Sequence, residues 1–117
     1  MAFKMTRTTI KANYSNIYYV GYCEMYHALG AFRKIGWTEG VYGWNYNVYE
    51  IDSETVVLTG YRAMFGTRID HDLSRKIEAK ADKIYCDREN RLPYEKRQAK
   101  IRKMVLKYFE TIKKGGV

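Results

Sequence analysis

Apolar and polar positions along this chain follow two different periods. From Ile17 to Tyr22 the run Ile-Tyr-Tyr-Val-Gly-Tyr is rich in β-formers and apolar on both faces, which predicts a central strand. Glu24 to Lys34 changes period: Met25, Leu29 and Phe32 recur at i, i+4 and i+7, which predicts a short helix stopped at Gly36. Val41 to Ile51 reads as a long strand and Thr55 to Tyr61 as a shorter one, joined as a hairpin by the turn-forming Asp52-Ser53-Glu54. Arg62 to Ile69 is predicted as a loop around Gly66. Asp70 is a candidate N-cap for a helix reaching about Tyr85, with Leu73, Ile77, Ala81 and Ile84 on its buried stripe. After a polar break at Asp87 to Leu92, Pro93 fits the start of a last helix that ends before Gly115-Gly116.

That last helix carries the strongest pattern. Ile101, Met104, Val105, Tyr108, Phe109 and Ile112 form one continuous apolar face at 100° per residue. Lys96, Lys100, Lys103, Lys107 and Lys114 fall together on an adjacent arc, with only Glu95 and Glu110 opposing them within the helix. A solvated helix face usually interleaves both signs, so a stripe of one sign points to an anionic partner. The predicted order is β-α-β-β-α-α. This is an α+β fold with a small antiparallel sheet, ending in a long basic amphipathic helix. It is expected to form a single domain over 1–117, with an aromatic sheet half (1–61) and a basic helical half (62–117).

Charge sharpens this division. The 117 residues carry 21 Lys and Arg against 13 Asp and Glu, a net +8. Residues 1–60 hold five of each sign and are neutral, so the whole excess lies in residues 61–117. The aromatics run the other way, with 13 of 18 at or before Tyr61. Leu, Ile, Val and Phe number only 25, so the core must recruit some of the 12 tyrosines. No apolar run approaches the roughly 18 residues of a membrane span. Met1 to Ile10 lacks a signal-length apolar stretch, and two cysteines make no disulfide scaffold, so a cytoplasmic setting is expected.

Two resemblances attach to these blocks. Ile17-Tyr18-Tyr19-Val20-Gly21-Tyr22 resembles the first-strand motif of the RNA-recognition-motif family, and Gly40-Val41-Tyr42-Gly43-Trp44 resembles its second motif. The resemblance implies a βαββα portion of a ferredoxin-like fold with bases stacked on sheet aromatics. Its second match sits on the wrong strand, and a helix replaces the last strand. The blocks Val20-Gly21-Tyr22-Cys23, Gly40 to Asn45 and Thr59-Gly60-Tyr61-Arg62 resemble small proteins of phages and mobile elements of Gram-positive bacteria, from about residue 11 to 85. No activity transfers with that resemblance, but genes of such elements often act against host defence, and anti-CRISPR proteins are one outcome. A basic chain could not act there as an acidic DNA mimic and would contact guide RNA, target nucleic acid or an acidic protein surface.

Candidate chemistry is mostly binding chemistry. Tyr42, Trp44, Tyr46 and Val48 share one strand face, where aromatics either stack bases or fill the core. Tyr61 closes the next strand, and Arg62 and Arg68 flank Gly66 in a loop suited to phosphate contacts. Cys23, His27, His71 and Cys86 are too dispersed for a structural zinc, so no metal or cofactor is expected. Asp70-His71-Asp72 is read as helix capping. Cys23 and His27 have a nucleophile–base spacing without a third orienting group in view.

The reading that follows is a non-enzymatic basic protein that binds nucleic acid or a nucleoprotein complex. Its candidate contacts are Lys96, Lys100, Lys103, Lys107, Lys114, Arg62 and Arg68, with Tyr42, Trp44, Tyr46 and Tyr61 as aromatic contacts. Two alternatives stand beside it. One is a small metal-independent ribonuclease or toxin using His71, Tyr61, Arg62 and Arg68. The other is a protein-interaction module, with a homodimer as one form.

Overall fold

A computed structural model describes residues 3–40, 43–61 and 65–115. Its elements run β1 (Phe3–Lys4), α1 (Arg7–Asn13), β2 (Asn16–Gly21), α2 (Tyr26–Gly30), β3 (Arg33–Glu39), β4 (Asn45–Asp52), β5 (Thr55–Gly60), β6 (Thr67–Arg68), α3 (His71–Tyr85) and α4 (Tyr94–Lys113). The fold is α+β and ends in the long helix expected from the pattern. The six strands form one sheet in the order β1-β3-β4-β5-β2-β6.

The centre of the sheet is the antiparallel meander β3-β4-β5, in which Asp52-Ser53-Glu54 makes the β4–β5 turn and the Glu54 N–H donates to Asp52 Oδ1 at 2.9 Å. Around it the pairing is parallel: β2 with β5, β2 with β6 and β1 with β3. The parallel β2–β5 pair departs from the antiparallel sheet of a ferredoxin-like fold, and the cause is β3. Arg33 and Lys34 were expected to close a helix, but the helix stops at Gly30 and Arg33–Glu39 forms a strand. One additional strand before the β4–β5 hairpin reverses the sense in which β5 meets β2.

The sheet is covered on both faces. Tyr18 and Val20 of β2 and Val57 of β5 pack under α2, α3 and α4 against Leu29, Ile77, Ile101, Val105 and Phe109. Tyr19, Tyr46, Val48, Val56 and Leu58 form a second cluster with Ile10 of α1, flanked by Met5 and Phe65. Helix α1 lies outside the elements expected from sequence. It is capped by Thr6, whose hydroxyl accepts the Thr9 N–H at 3.1 Å, and it buries Ile10 completely. With α1 in place, the sheet face that carries Tyr19 and Tyr46 is not an open base-stacking platform.

Glycines mark two close approaches. A Cβ on Gly60 would stand 1.9 Å from the Tyr46 ring, and one on Gly21 would stand 2.0 Å from a Glu24 carboxylate oxygen. The Gly-Tyr pairs that close β2 and β5 therefore serve packing and capping at the carboxyl end of the parallel pair.

Helices α3 and α4 form as expected. The Asp70 carboxylate accepts the Leu73 N–H at 3.2 Å, and α3 buries Ile77 and Ala81. Pro93 sits at the N-cap of α4, which buries Ile101, Val105 and Phe109. Lys113, in its last turn, pairs with Asp52 and ties the helix end to the β4–β5 turn.

Candidate functional site

The lysine arc of α4 faces solvent. Lys96, Lys100, Lys103, Lys107 and Lys114 are all exposed, and none makes an ion pair among the described residues. At 3.6 residues per turn the five span about 60° of arc, and Lys96 to Lys107 cover about 16 Å of helix length. The buried residues Gln98, Ile101, Val105 and Phe109 centre about 175° away, so their packing aims the ammonium groups outward. Glu95 and Glu110 are exposed and also without an ion pair.

Helix α3 carries a second row of lysines. Lys76, Lys80 and Lys83 stand at i, i+4 and i+7 and are exposed, with Asp72 one turn ahead of Lys76. Lys80 Nζ lies 5.0 Å from the centre of the Tyr108 ring, which brings this row to the flank of α4. Sequence reasoning overlooked these three lysines, although their helical spacing was as readable as that of the α4 row.

The loop and aromatic residues divide. Arg62 and Tyr42 lie outside the described residues. Arg68 is engaged: its guanidinium donates to both Glu24 oxygens at 2.9 and 3.0 Å and lies 5.3 Å from the Tyr19 ring centre. Glu24 also accepts from Ser74 Oγ at 2.9 Å and from the Gly21 N–H at 2.6 Å, and its carboxylate stands 2.9 Å from His71 Nδ1. Burial pushes the Glu24 carboxyl up, but the bonds from Arg68, His71, Ser74 and Gly21 outweigh it and bring its pKa from 4.5 to about 2. Arg68 and His71 are thus structural partners of one carboxylate, where the sequence had offered them as phosphate-contact or ribonuclease residues. Tyr46 is 1% exposed and packs edge-on to Tyr19 at 6.1 Å, so it belongs to the core and not to an aromatic contact surface.

The exposed aromatics gather elsewhere. Tyr22 stacks on Tyr61 with ring centres 5.2 Å apart and planes 22° apart, and Trp44 lies 4.8 Å from Tyr61. Tyr22 also forms part of the wall of a cavity of about 350 Å³. Its floor is the sheet (Asn47, Tyr49, Thr59), and its other walls come from α2, Tyr85 at the end of α3, and Tyr94 and Gln98 at the start of α4. Burial pushes the Tyr49 hydroxyl up, with Tyr26, Tyr22 and Cys23 adding to the shift, so this phenol stays neutral at physiological pH. Tyr85 is held by Arg97, which donates to its carbonyl at 2.8 Å and lies 5.2 Å from its ring centre.

Cys23 and His27 share this wall. Glu78 accepts the His27 and Ala28 N–H groups at 2.9 to 3.0 Å and lies 3.0 Å from His27 Nδ1. It supplies the third orienting group that was not in view in the sequence. No hydrogen bond joins Cys23 to His27, so the nucleophile–base pair is not assembled, and Glu78 serves as the cap of α2.

Among the described residues no cluster of His, Cys, Asp and Glu could hold a metal ion, and no helix is long and apolar enough to cross a membrane. Comparison with protein-family models, curated proteins and solved structures finds no match to this chain.

Proposed function

We propose that this is a non-enzymatic binding protein that engages nucleic acid, or a nucleoprotein complex, through the outer faces of α4 and α3. The observation that carries the reading is the row Lys96, Lys100, Lys103 and Lys107, exposed along one helix edge with no ion pair to any of them among the described residues, Asp87 being near enough to Lys100 only to feel its charge. A row of like charges repels itself, and a polyanion relieves that repulsion while releasing its own counterions. The row repeats every about 4.5 to 6 Å, and it stands on a helix fixed to the sheet by its apolar face. The resemblance to phage and mobile-element proteins directs the reading toward a host-defence nucleoprotein such as a CRISPR–Cas complex, where guide RNA and target strand are the anionic surfaces a basic inhibitor would meet.

The test is fluorescence anisotropy with labelled single-stranded RNA, single-stranded DNA and duplex DNA at low salt. Reversing Lys100, Lys103 and Lys107 together to Glu is expected to weaken binding at least about tenfold. Unchanged affinity in the triple variant overturns the reading. Labelled RNA is expected to stay intact with the protein in excess, with or without a chelator, because Arg68 and His71 are both committed to Glu24. Cleavage would favour the ribonuclease alternative.

A further inference from the structure

We infer that the tyrosine-walled cavity beside the start of α4 binds one unstacked nucleobase bearing an exocyclic amino group, presented by a single strand or a free nucleoside. The single-strand form rests on the nucleic-acid reading above, whereas the nucleoside form does not.

Size and shape come first. About 350 Å³ lies within the range of small-molecule sites and accommodates a heterocyclic base. Six large hydrophobic side chains are strongly exposed among the described residues, and five of them meet here. Tyr22, Tyr26 and Tyr94 line the cavity, Tyr61 stacks on Tyr22, and Trp44 lies tilted by 59° against Tyr61. Exposed apolar side chains scattered singly are ordinary, whereas a gathered patch marks an interaction site, and exposed aromatic ring faces suit planar ligands. A base entering the cavity would leave its neighbours on the strand free to lie against the Tyr61 or Trp44 ring.

The wall chemistry narrows the ligand. Among the described residues no Lys, Arg, Asp or Glu side chain lines the cavity, and His27 is its one titratable nitrogen base, which favours a neutral occupant with any phosphate outside. Gln98 is only 8% exposed, and its Oε1 has no hydrogen-bond partner. Its Nε2 donates to the Gly30 carbonyl at 3.2 Å and to Tyr94 Oη at 3.1 Å. Because a carbonyl can only accept, the Gly30 contact fixes which end of the amide is oxygen. The free atom is therefore an acceptor in need of a donor; it is covered as the side chain stands, so a ligand reaches it by turning the Gln98 amide toward the cavity. An amino group on adenine or cytosine supplies one, whereas thymine presents carbonyl oxygen at the corresponding position. The Asn47 side chain on the floor carries a second amide for the rest of the base edge.

The experiment compares anisotropy of labelled oligo(dA), oligo(dT) and duplex DNA, and follows the Gln98 side-chain amide by NMR on adding adenosine or N6,N6-dimethyladenosine. Oligo(dA) is expected to bind about tenfold more tightly than duplex or oligo(dT), and Tyr22→Ala and Tyr94→Ala to remove that advantage while leaving duplex affinity unchanged. Both tyrosines are more than half exposed, so these variants keep the core intact. Equal affinities for all three, unmoved by the tyrosine variants, overturn the base site and leave the lysine face standing. If no oligonucleotide binds, the lysine reading has failed, and adenosine decides the cavity alone. A Gln98 amide shift with adenosine that is lost with the dimethylated analogue supports the site as one for free nucleosides, and no shift with either overturns it.

Discussion

Glu24 holds together the carboxyl end of the parallel strand pair. One carboxylate takes the Gly21 N–H, Ser74 Oγ and the Arg68 guanidinium and faces His71, so it joins β2, β6 and α3. Its pKa falls from 4.5 to about 2 on folding, which fixes the sign of its pH dependence. A depressed carboxylate contributes stability that is fully present above pH 4.5 and is lost as the pH falls toward about 2. Urea midpoints measured across this window are expected to drop steeply. Glu24→Gln is expected to cost about 2 kcal/mol at neutral pH and to flatten that acid limb, because Arg68 and His71 lose their charged acceptor. Parallel acid limbs in the two proteins would contradict this role. Gly60 sets a steric condition of the same kind. Gly60→Ala puts a methyl group 1.9 Å from the Tyr46 ring and is expected to destabilise the fold by about 1–3 kcal/mol in urea melts.

Among the elements, α2 is the most dependent on its neighbours. Five residues are too few to hold a helix alone, and its first N–H groups find their acceptor on another helix, at Glu78. Glu78→Ala is expected to cost about 2 kcal/mol and to speed hydrogen exchange at the His27, Ala28 and Leu29 amides, with the β4 and β5 amides still protected. Uniform acceleration across the chain would show that α2 does not open by itself. This dependence also explains what the sequence made legible. Helices α3 and α4 carry their own signals, in the Asp70 cap and in apolar stripes long enough to fix the period. β2 and β5 are short apolar runs with turn residues beside them. β3 was hidden because Phe32 extended the Met25–Leu29 spacing past the real helix end, although Ile35 and Trp37 already alternate with Gly36 and Thr38. The lysine row was legible because it lies on one helix. The cavity was not, because its walls come from α2, β4, β5, α3 and α4, brought together by a strand order that no local pattern encodes. Tyr46 shows the same limit: it shares a strand face with Trp44, yet bare backbone at Gly60 draws its ring into the core.

At the scale of the molecule, most of the excess charge of residues 61–117 sits on α4, while the aromatic cluster occupies the end of the sheet beside the start of α4. The two surfaces differ in the physics by which they would hold a strand, and salt separates them. Each phosphate neutralised by a lysine contributes about −0.7 to the slope of log K against log salt for a single strand. If Lys96, Lys100, Lys103 and Lys107 each take one phosphate, the expected slope is about −3. Reversing Lys100, Lys103 and Lys107 to Glu removes three of those contacts and should leave a slope no steeper than about −1. Stacking in the cavity releases no counterions, so Tyr22→Ala should lower the affinity at every salt concentration and leave the slope unchanged. Anisotropy titrations across a salt series with these two variants therefore resolve the surfaces independently. A slope that survives the triple reversal would move the electrostatic contact to the α3 row of Lys76, Lys80 and Lys83, whereas a slope that falls with Tyr22→Ala would mean that the aromatic cluster positions the phosphates as well as the base.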